Sequence, residues 1–457
     1  MMAHASRATG GRASPESVLV AFAGGAIGII FGYDLGSVAG ALPSIVREFG
    51  LSELEAGWVN GVIVSSQIPG ALAAGKLNDT LGRRWTMIAI AASYAVVALL
   101  QAISPNVVML DVVRLVLGAT IGVSMVSAPL FVAEISPARL RGRFVALYQV
   151  ATVGGIFITY LVNYFLSFGD HWRIMLGLAA IPAIIVLGCL MVLPESPRWL
   201  ILNGHLDEAK RVLTRTDPEA DLELQIAEIE REACIETGRG LADMVRPAYR
   251  RATVFVVCLG VFAQITGINA ITYYSPIIFT ELGFRAPGQS LALPSIVQFC
   301  AVLATIASLS IVDRLGRRIT LLSGLAFMAA GALVLSLVFG LGGGSRGAGS
   351  WTGFAAVLVF TCAFNGGFGS VVWVYSSEAF PVRLRAIGAS VMLVSALLAN
   401  LVVADAFLWA ASALGMAFVF AFFTAMALVA LTFIALRAPE TSGRSLEEIR
   451  TSWQVNG

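Results

Sequence analysis

The sequence predicts an all-α membrane protein: twelve transmembrane helices in two six-helix bundles, with a cytoplasmic helical linker between them. Three observations lead there. Of 457 residues, 58% are hydrophobic and 13% charged, whereas a soluble domain carries about 25% charged residues. The apolar residues gather in twelve blocks of about 20, each long enough for a hydrocarbon core of roughly 30 Å. One pattern also occurs twice, as GKLNDTLGRR at 75–84 and DRLGRR at 313–318. A second pair accompanies it, VAEISPARLRGR at 132–143 and SSEAFPVRLRAI at 376–387. Asp79 and Asp313 stand 234 residues apart, and Glu134 and Glu378 stand 244 apart. The two halves therefore carry charged loops at matching places.

In chain order, residues 1–17 are polar and read as a disordered cytoplasmic N-terminus. They lack a signal-peptide core and cleavage site, so the first apolar block is a retained helix. The N-terminal bundle occupies 18–199, with spans near 18–41, 57–77, 85–104, 108–132, 144–166 and 172–193. Residues 200–250 break the apolar pattern; DEAKRVL and ELQIAEIEREA are charged and helical in period, which makes a linker of short helices under the membrane. The C-terminal bundle occupies 251–437, with spans near 252–280, 291–312, 319–341, 351–376, 386–407 and 414–437, and 438–457 is a cytoplasmic tail. Blocks of this length are too long for barrel strands, so the backbone satisfies itself in helices.

Charge sets the orientation. With the N-terminus inside, cytoplasmic segments hold 25 of the 30 Lys and Arg residues; Arg47, Arg173, Arg285 and Arg346 are outside and Arg114 is within a span. That asymmetry puts both termini and the linker in the cytoplasm. Short loops and the absence of outer sequons fit a bacterial inner membrane; Asn78-Asp79-Thr80 falls on the cytoplasmic side. Cys189, Cys234, Cys258, Cys300 and Cys362 are scattered, with neither metal-ligand spacing nor a disulfide framework. No nucleophile–base set or phosphate loop is present either, so the expectation is no enzyme, no metal and no cofactor.

Ionisable groups inside the spans are few, and Asp34 and Arg114 are the clearest. A charge at mid-membrane costs about 2.5–3.5 kcal/mol on insertion scales, so it is paired or lines a wet cavity. One reading is a fixed salt bridge between the first and fourth spans. The other is a titrating carboxylate whose state depends on Arg114 and water. Gly24, Gly28, Gly32, Gly36 and Gly40 give the first span a smooth packing face. Asp34 points nearly opposite to it, at about 100° per residue. Asp405 reads as interfacial, near the outer end of the eleventh span. His4, His171 and His205 lie in termini or loops, so any proton coupling falls to a carboxylate. Asp79, Arg83, Glu134 and Arg141, with Asp313, Arg317, Glu378 and Arg385, place opposite charges at one cytoplasmic level. They are either topology signals on solvated faces or a gate of salt bridges that opens and closes that side.

FGYDLGSVAGAL (31–42), the two GRR runs, PESPRWL (194–200), AQITGINAITYY (263–274), WVYSSEAFP (373–381) and PETSGRSLEEI (439–449) together resemble the sugar porter family of the major facilitator superfamily. The likeness covers nearly the whole chain. It implies alternating access around a central site between the halves. In the family's proton symporters an aspartate follows GY in the first span and an arginine stands in the fourth; these match Asp34 and Arg114. Family facilitators usually lack that aspartate, so Asp34 favours proton symport over uniport. The family's sugar ligands match Phe31, Gln149, Gln264, Asn269, Tyr273 and Trp373. Amides offer donor and acceptor to hydroxyls, and aromatic faces stack on a sugar's C–H side.

The chain departs from the family at Ala263, where the first glutamine of a pair is expected, at Ser370 in place of a proline, and at Ala396-Leu397, where many members have a polar residue and Trp. Each hydroxyl left unpaired costs about 1–3 kcal/mol. The expected solute is thus a monosaccharide, a polyol or a smaller or less polar relative. The expected partners are that solute, protons and membrane lipid, with no nucleic acid, and the protein is expected to act as a monomer. A proton-independent facilitator, a carrier of a small organic acid held by Arg114, and a transporter-like sensor are the alternatives. A sensor is expected to carry a long signalling tail, against about 20 residues here after the last span.

Overall fold

In the computed structural model the described residues are 15–439, apart from 137–140, 170, 217–220, 237–240, 248, 287, 343–346 and 381–383, and apart from some helical side chains, Arg141, Asp313 and Glu378 among them. Every regular element among them is a helix. Twelve spans are seen: α1 (Pro15–Phe49), α2 (Glu53–Leu81), α3 (Arg83–Ala102), α4 (Val107–Ile135), α5 (Arg141–Leu166), α6 (Trp172–Gly177 and Ala180–Val192), α7 (Arg250–Ile265 and Ile268–Glu281), α8 (Gln289–Leu315), α9 (Arg317–Gly340), α10 (Gly347–Ala363, continuing to Glu378), α11 (Arg385–Ala413) and α12 (Met416–Arg437). Between α6 and α7 lie the linker helices Pro197–Leu202, Leu206–Thr216, Leu222–Glu236 and Leu241–Met244.

Eleven spans are apolar enough to cross a membrane on composition alone. The exception is α2, diluted by Asn60, Gln67 and Asn78, and all three are buried. Its polar groups face protein rather than lipid, where polar side chains act as interhelical glue. Helix α2 also starts earlier than the apolar block suggests. Ser52 and Glu55 form a capping box, with Ser52 N donating to Glu55 Oε2 at 2.8 Å.

Glycine sets the closest approaches. A Cβ on Gly28 would fall 2.5 Å from Tyr148 O, and one on Gly32 1.9 Å from Thr152 O, so α1 and α5 meet backbone to backbone. Thr159 Oγ1 donates to Tyr33 O at 2.9 Å and Asn163 Nδ2 to Gly36 O at 3.0 Å along the same seam. The packing face predicted for the first span is the one used, and Asp34 is on the other side.

The repeated loops have a conformational cause. Gly82 (φ 93°) and Gly316 (φ 87°) both turn the chain between spans in the region that favours glycine. The second arginine of each GRR then does the same job in each half. Arg84 Nη2 donates to Met191 O and Arg318 Nη2 to Ala435 O, both at 2.7 Å, so each arginine caps the last span of its own bundle.

The bundles are fused at one face. One apolar cluster runs from the C-terminal bundle into Val38, Leu42, Val59, Leu110 and Trp172, at the ends of α1, α2, α4 and α6 farthest from the linker. A second cluster, around Ile30, Ile63, Met87, Ile121 and Phe131, stays within the N-terminal bundle. Polar contacts follow the first. Glu53 accepts from Ser412, Tyr160 donates to Thr272 O, and the rings of Phe157 and Phe299 lie 5.5 Å apart. The face opposite the linker is therefore closed between the bundles.

Candidate functional site

Asp34 on α1 is 5% exposed and Arg114 on α4 is fully buried. Both line a cavity of about 10 Å³ where the bundles meet, together with Asn60 of α2 and Tyr273 of α7. That is room for about one water molecule. Arg114 is held by its own bundle: Nε donates to Val59 O at 2.8 Å and Nη1 to Gln101 Oε1 at 3.4 Å. Its Nη2 is buried without a hydrogen-bond partner. Among the described residues no ion pair joins Asp34 to Arg114. The fixed salt bridge is not what this state contains. Two opposite charges share one small cavity, and one guanidinium nitrogen remains to be satisfied. Such a pair can respond to a proton or a ligand, because a buried charge lacking a partner is costly.

The helices supply the geometry for the neutral groups. Helix α7 breaks at Gly267, whose φ of 99° places it in the left-handed region, and a Cβ there would meet Phe423 at 2.5 Å. The break brings Gln264 and Asn269 together across it, Asn269 Nδ2 donating to Gln264 Oε1 at 2.7 Å. One turn further along, the Tyr273 hydroxyl accepts from Asn400 Nδ2 at 3.3 Å. In α10 a π-helical turn at Phe364–Phe368 interrupts the α-helix just before Ser370 and Trp373. Ser370 bonds Ser308 of α8 at 2.8 Å; where a proline could only bend the helix, serine ties α10 to its neighbour. Phe31 and Gln149 are half-buried and Trp373 is 38% exposed. Of the six residues matched to sugar ligands, only Tyr273 lines the small cavity.

Ala263 is buried in the C-terminal core, and Ala396 and Leu397 are buried as well. A Cβ on Gly260 would meet Ser395 Oγ at 2.5 Å, so α7 and α11 pack tightly there. The half-buried carboxylate of Asp405 faces α2 across the bundle boundary. Asn60 and Asn400 belong with the site but are uncharged, so a search for intramembrane charge passes over them. A buried amide in an apolar span was the available signal.

On the linker face, Arg83 Nε donates to Glu134 Oε2 at 3.0 Å and Nη1 to Asp79 Oδ1 at 3.2 Å. Ser196 Oγ donates to Glu134 Oε2 at 2.5 Å, and Trp199 Nε1 to Asp79 O at 3.0 Å. Glu195 accepts from the Arg84 backbone N–H at 2.9 Å; burial pushes its carboxyl above the usual range, against these hydrogen bonds and Arg83. The network clamps the first linker helix to α2, α3 and α4, all within the N-terminal bundle. Arg385 Nε donates to Phe380 O at 3.4 Å, and Arg317 begins α9. The side chains of Arg141, Asp313 and Glu378 lie outside the described residues.

Comparison with known proteins agrees with the architecture. The family described as sugar (and other) transporter matches residues 18–453. The chain is 34% identical over 440 residues to the putative metabolite transport protein YwtG of Bacillus subtilis, covering 95% of this chain and 94% of that one. It is 34% identical over 431 residues to the galactose-proton symporter of Escherichia coli K12, covering 94% and 93%. Among solved structures, the inward open conformation of the xylose transporter XylE from E. coli matches with a TM-score of 0.83 and 25% identity, covering 96% of this chain and 100% of that one.

Proposed function

Because the chain belongs to the sugar (and other) transporter family, and is thus a multi-pass membrane transporter and not an enzyme, we propose that it carries a monosaccharide, polyol or related small solute by proton symport. The observation that carries this reading is the buried Asp34–Arg114 cavity at the bundle boundary, with a protein contact missing from Arg114 Nη2. The names of its relatives, a galactose-proton symporter and a xylose transporter among them, support the solute class.

Asp34 is the proton site. Ionised, it balances Arg114; protonated, it releases that attraction and lets the bundles rock about the central site. Gln264, Asn269 and Tyr273 offer amide and hydroxyl groups to the solute, Gln149 adds a further amide, and Phe31 and Trp373 supply aromatic faces. The linker face is the cytoplasmic face, with both termini on it, and the protein works as a monomer in the inner membrane. The closed opposite face then makes this an inward-facing state. The charged set on the linker face gates that side, the N-terminal members as a clamp and the C-terminal ones by parting from them.

A thermal-shift screen of the purified protein against sugars, polyols and small acids tests the solute class, since a ligand stabilises the folded state by mass action. Stabilisation by sugars or polyols alone is expected. Stabilisation by small carboxylates alone overturns the solute assignment and gives Arg114 to a substrate carboxylate. Proteoliposomes test the coupling: uptake above equilibrium under an inward proton gradient is expected, and uptake indifferent to the gradient makes the protein a facilitator.

A further inference from the structure

Asp405 lies on α11, eight residues from the end of the helix that faces away from the linker. Helix α2 opposes it with Gly57 and Gly61. A Cβ on Gly57 would fall 2.9 Å from Asp405 O, and one on Gly61 only 1.5 Å from Asp405 Oδ1. The carboxylate thus occupies the place a side chain at 61 would take. It sits on the seam that closes the face opposite the linker, and Oδ1 is buried there without a hydrogen-bond partner.

Among the described residues the surroundings offer no counter-charge. From α2 the carboxylate meets the two glycines. From α7 it faces Tyr274, whose hydroxyl donates to Ala404 O at 2.7 Å and whose ring stacks on Phe407 with centroids 4.8 Å apart. Glu53 lies further along α2, bonded to Ser412. No arginine, lysine or histidine acts on Asp405 among the described residues. Asp405 is half-buried there, so its carboxylate loses part of its water, at Oδ1, when the seam closes and gains nothing ionic in return, whereas its neutral form closes at smaller cost.

We propose that Asp405 is a second titrating carboxyl of the transport cycle, a gate at the outer mouth whose neutral form lets α11 seat on α2. The proposal rests on the reading above that the face opposite the linker is the outer one. When the mouth is open, Asp405 is hydrated and ionised. When it closes, Asp405 takes a proton from the outer solution, and it returns that proton to the same side on opening. It therefore sets how outer pH tunes the cycle without adding to the protons carried. Acid outside favours the closed mouth and alkali the open one.

Hydrogen-exchange mass spectrometry on the full-length protein in lipid nanodiscs, corrected for intrinsic rates at each pH, reads the seam directly. In the wild type, peptides covering 53–61 and 405–413 are expected to gain protection as pH falls from about 8 to about 5, by up to about tenfold per pH unit for one proton. Asp405→Asn is expected to hold both peptides protected across the range while still accumulating solute against its gradient. Asp34→Asn is expected to keep the wild-type pH response of the seam while losing accumulation. A wild-type pH response in Asp405→Asn, or none in the wild type, overturns the gate. Accumulation retained by Asp34→Asn overturns the coupling role and leaves the gate standing. Asp405→Ala gives the same reading if the asparagine variant does not reach the membrane.

Discussion

The two bundles share their loops and differ in their interiors. In the N-terminal bundle the spans nearest the site run unbroken, α1 lies against α5 on glycine, and the buried polar groups include the charges Asp34 and Arg114. In the C-terminal bundle α7 breaks at Gly267, α10 carries a π-helical turn, and the site groups are neutral: Gln264, Asn269, Tyr273 and Asn400. On the proposed reading the difference is a division of labour. Fixed charges in a rigid helix set suit a proton, which needs a changed charge and little room. Neutral donors and acceptors on interrupted helices suit a hydroxylated solute, because a break frees backbone groups and lets side chains converge.

The comparison breaks most visibly at Arg83. Its side chain and that of Glu134 are each 8% exposed and lie 3.0 Å apart. Arg83→Leu leaves a buried carboxylate without its cation, a loss of about 3–5 kcal/mol. Thermal denaturation in detergent is expected to show a large drop in melting temperature. An unchanged melting temperature would mean that the clamp contributes nothing to the N-terminal bundle.

Next in size is Gly267→Ala. The left-handed backbone and the contact with Phe423 predict a cost of about 1–3 kcal/mol. The loss is expected chiefly in solute affinity, because the break is what brings Gln264 to Asn269. Gln264→Ala is expected to weaken solute binding by about 1–3 kcal/mol through unpaired hydroxyls, with proton coupling intact. Titration calorimetry on both variants sharpens the contrast; equal loss of coupling in either would blur the proposed division.

The smallest effect is expected at Glu195. Its carboxyl is raised by burial, so its contribution to stability is present below its unfolded value and lost as pH rises through the folded one. Glu195→Gln is expected to flatten the pH dependence of the melting temperature within that window, between the unfolded and the raised folded value. A steeper dependence in the variant would reverse the sign.

Much of the fold was legible because a membrane writes it into composition. Spans follow from apolar length, and the repeated GRR loops from turns that only Gly82 and Gly316 make easily. Helix α2 was found by length although its buried amides dilute it. What a single sequence lacks is the rotation of each span against spans of the other bundle. The glycine stripe fixed that rotation for α1, which is why Asp34 could be placed opposite the seam. No such marker exists on α11. The place of Asp405 opposite Gly61 and the packing of Ala396 against α7 were therefore not legible. Asn60 was hidden for a related reason: its place beside Arg114 depends on how α2 and α4 cross, where Gly118 and Gly122 meet the α2 backbone.

The central claim is that Asp34 carries the proton and that solute recognition lies elsewhere. Asp34→Asn in proteoliposomes tests it, with labelled solute followed both under an inward proton gradient and in equilibrium exchange without one. The account predicts that the variant binds solute and exchanges it across the membrane but no longer accumulates it. Accumulation at the wild-type level would contradict the account and pass the proton to another carboxylate.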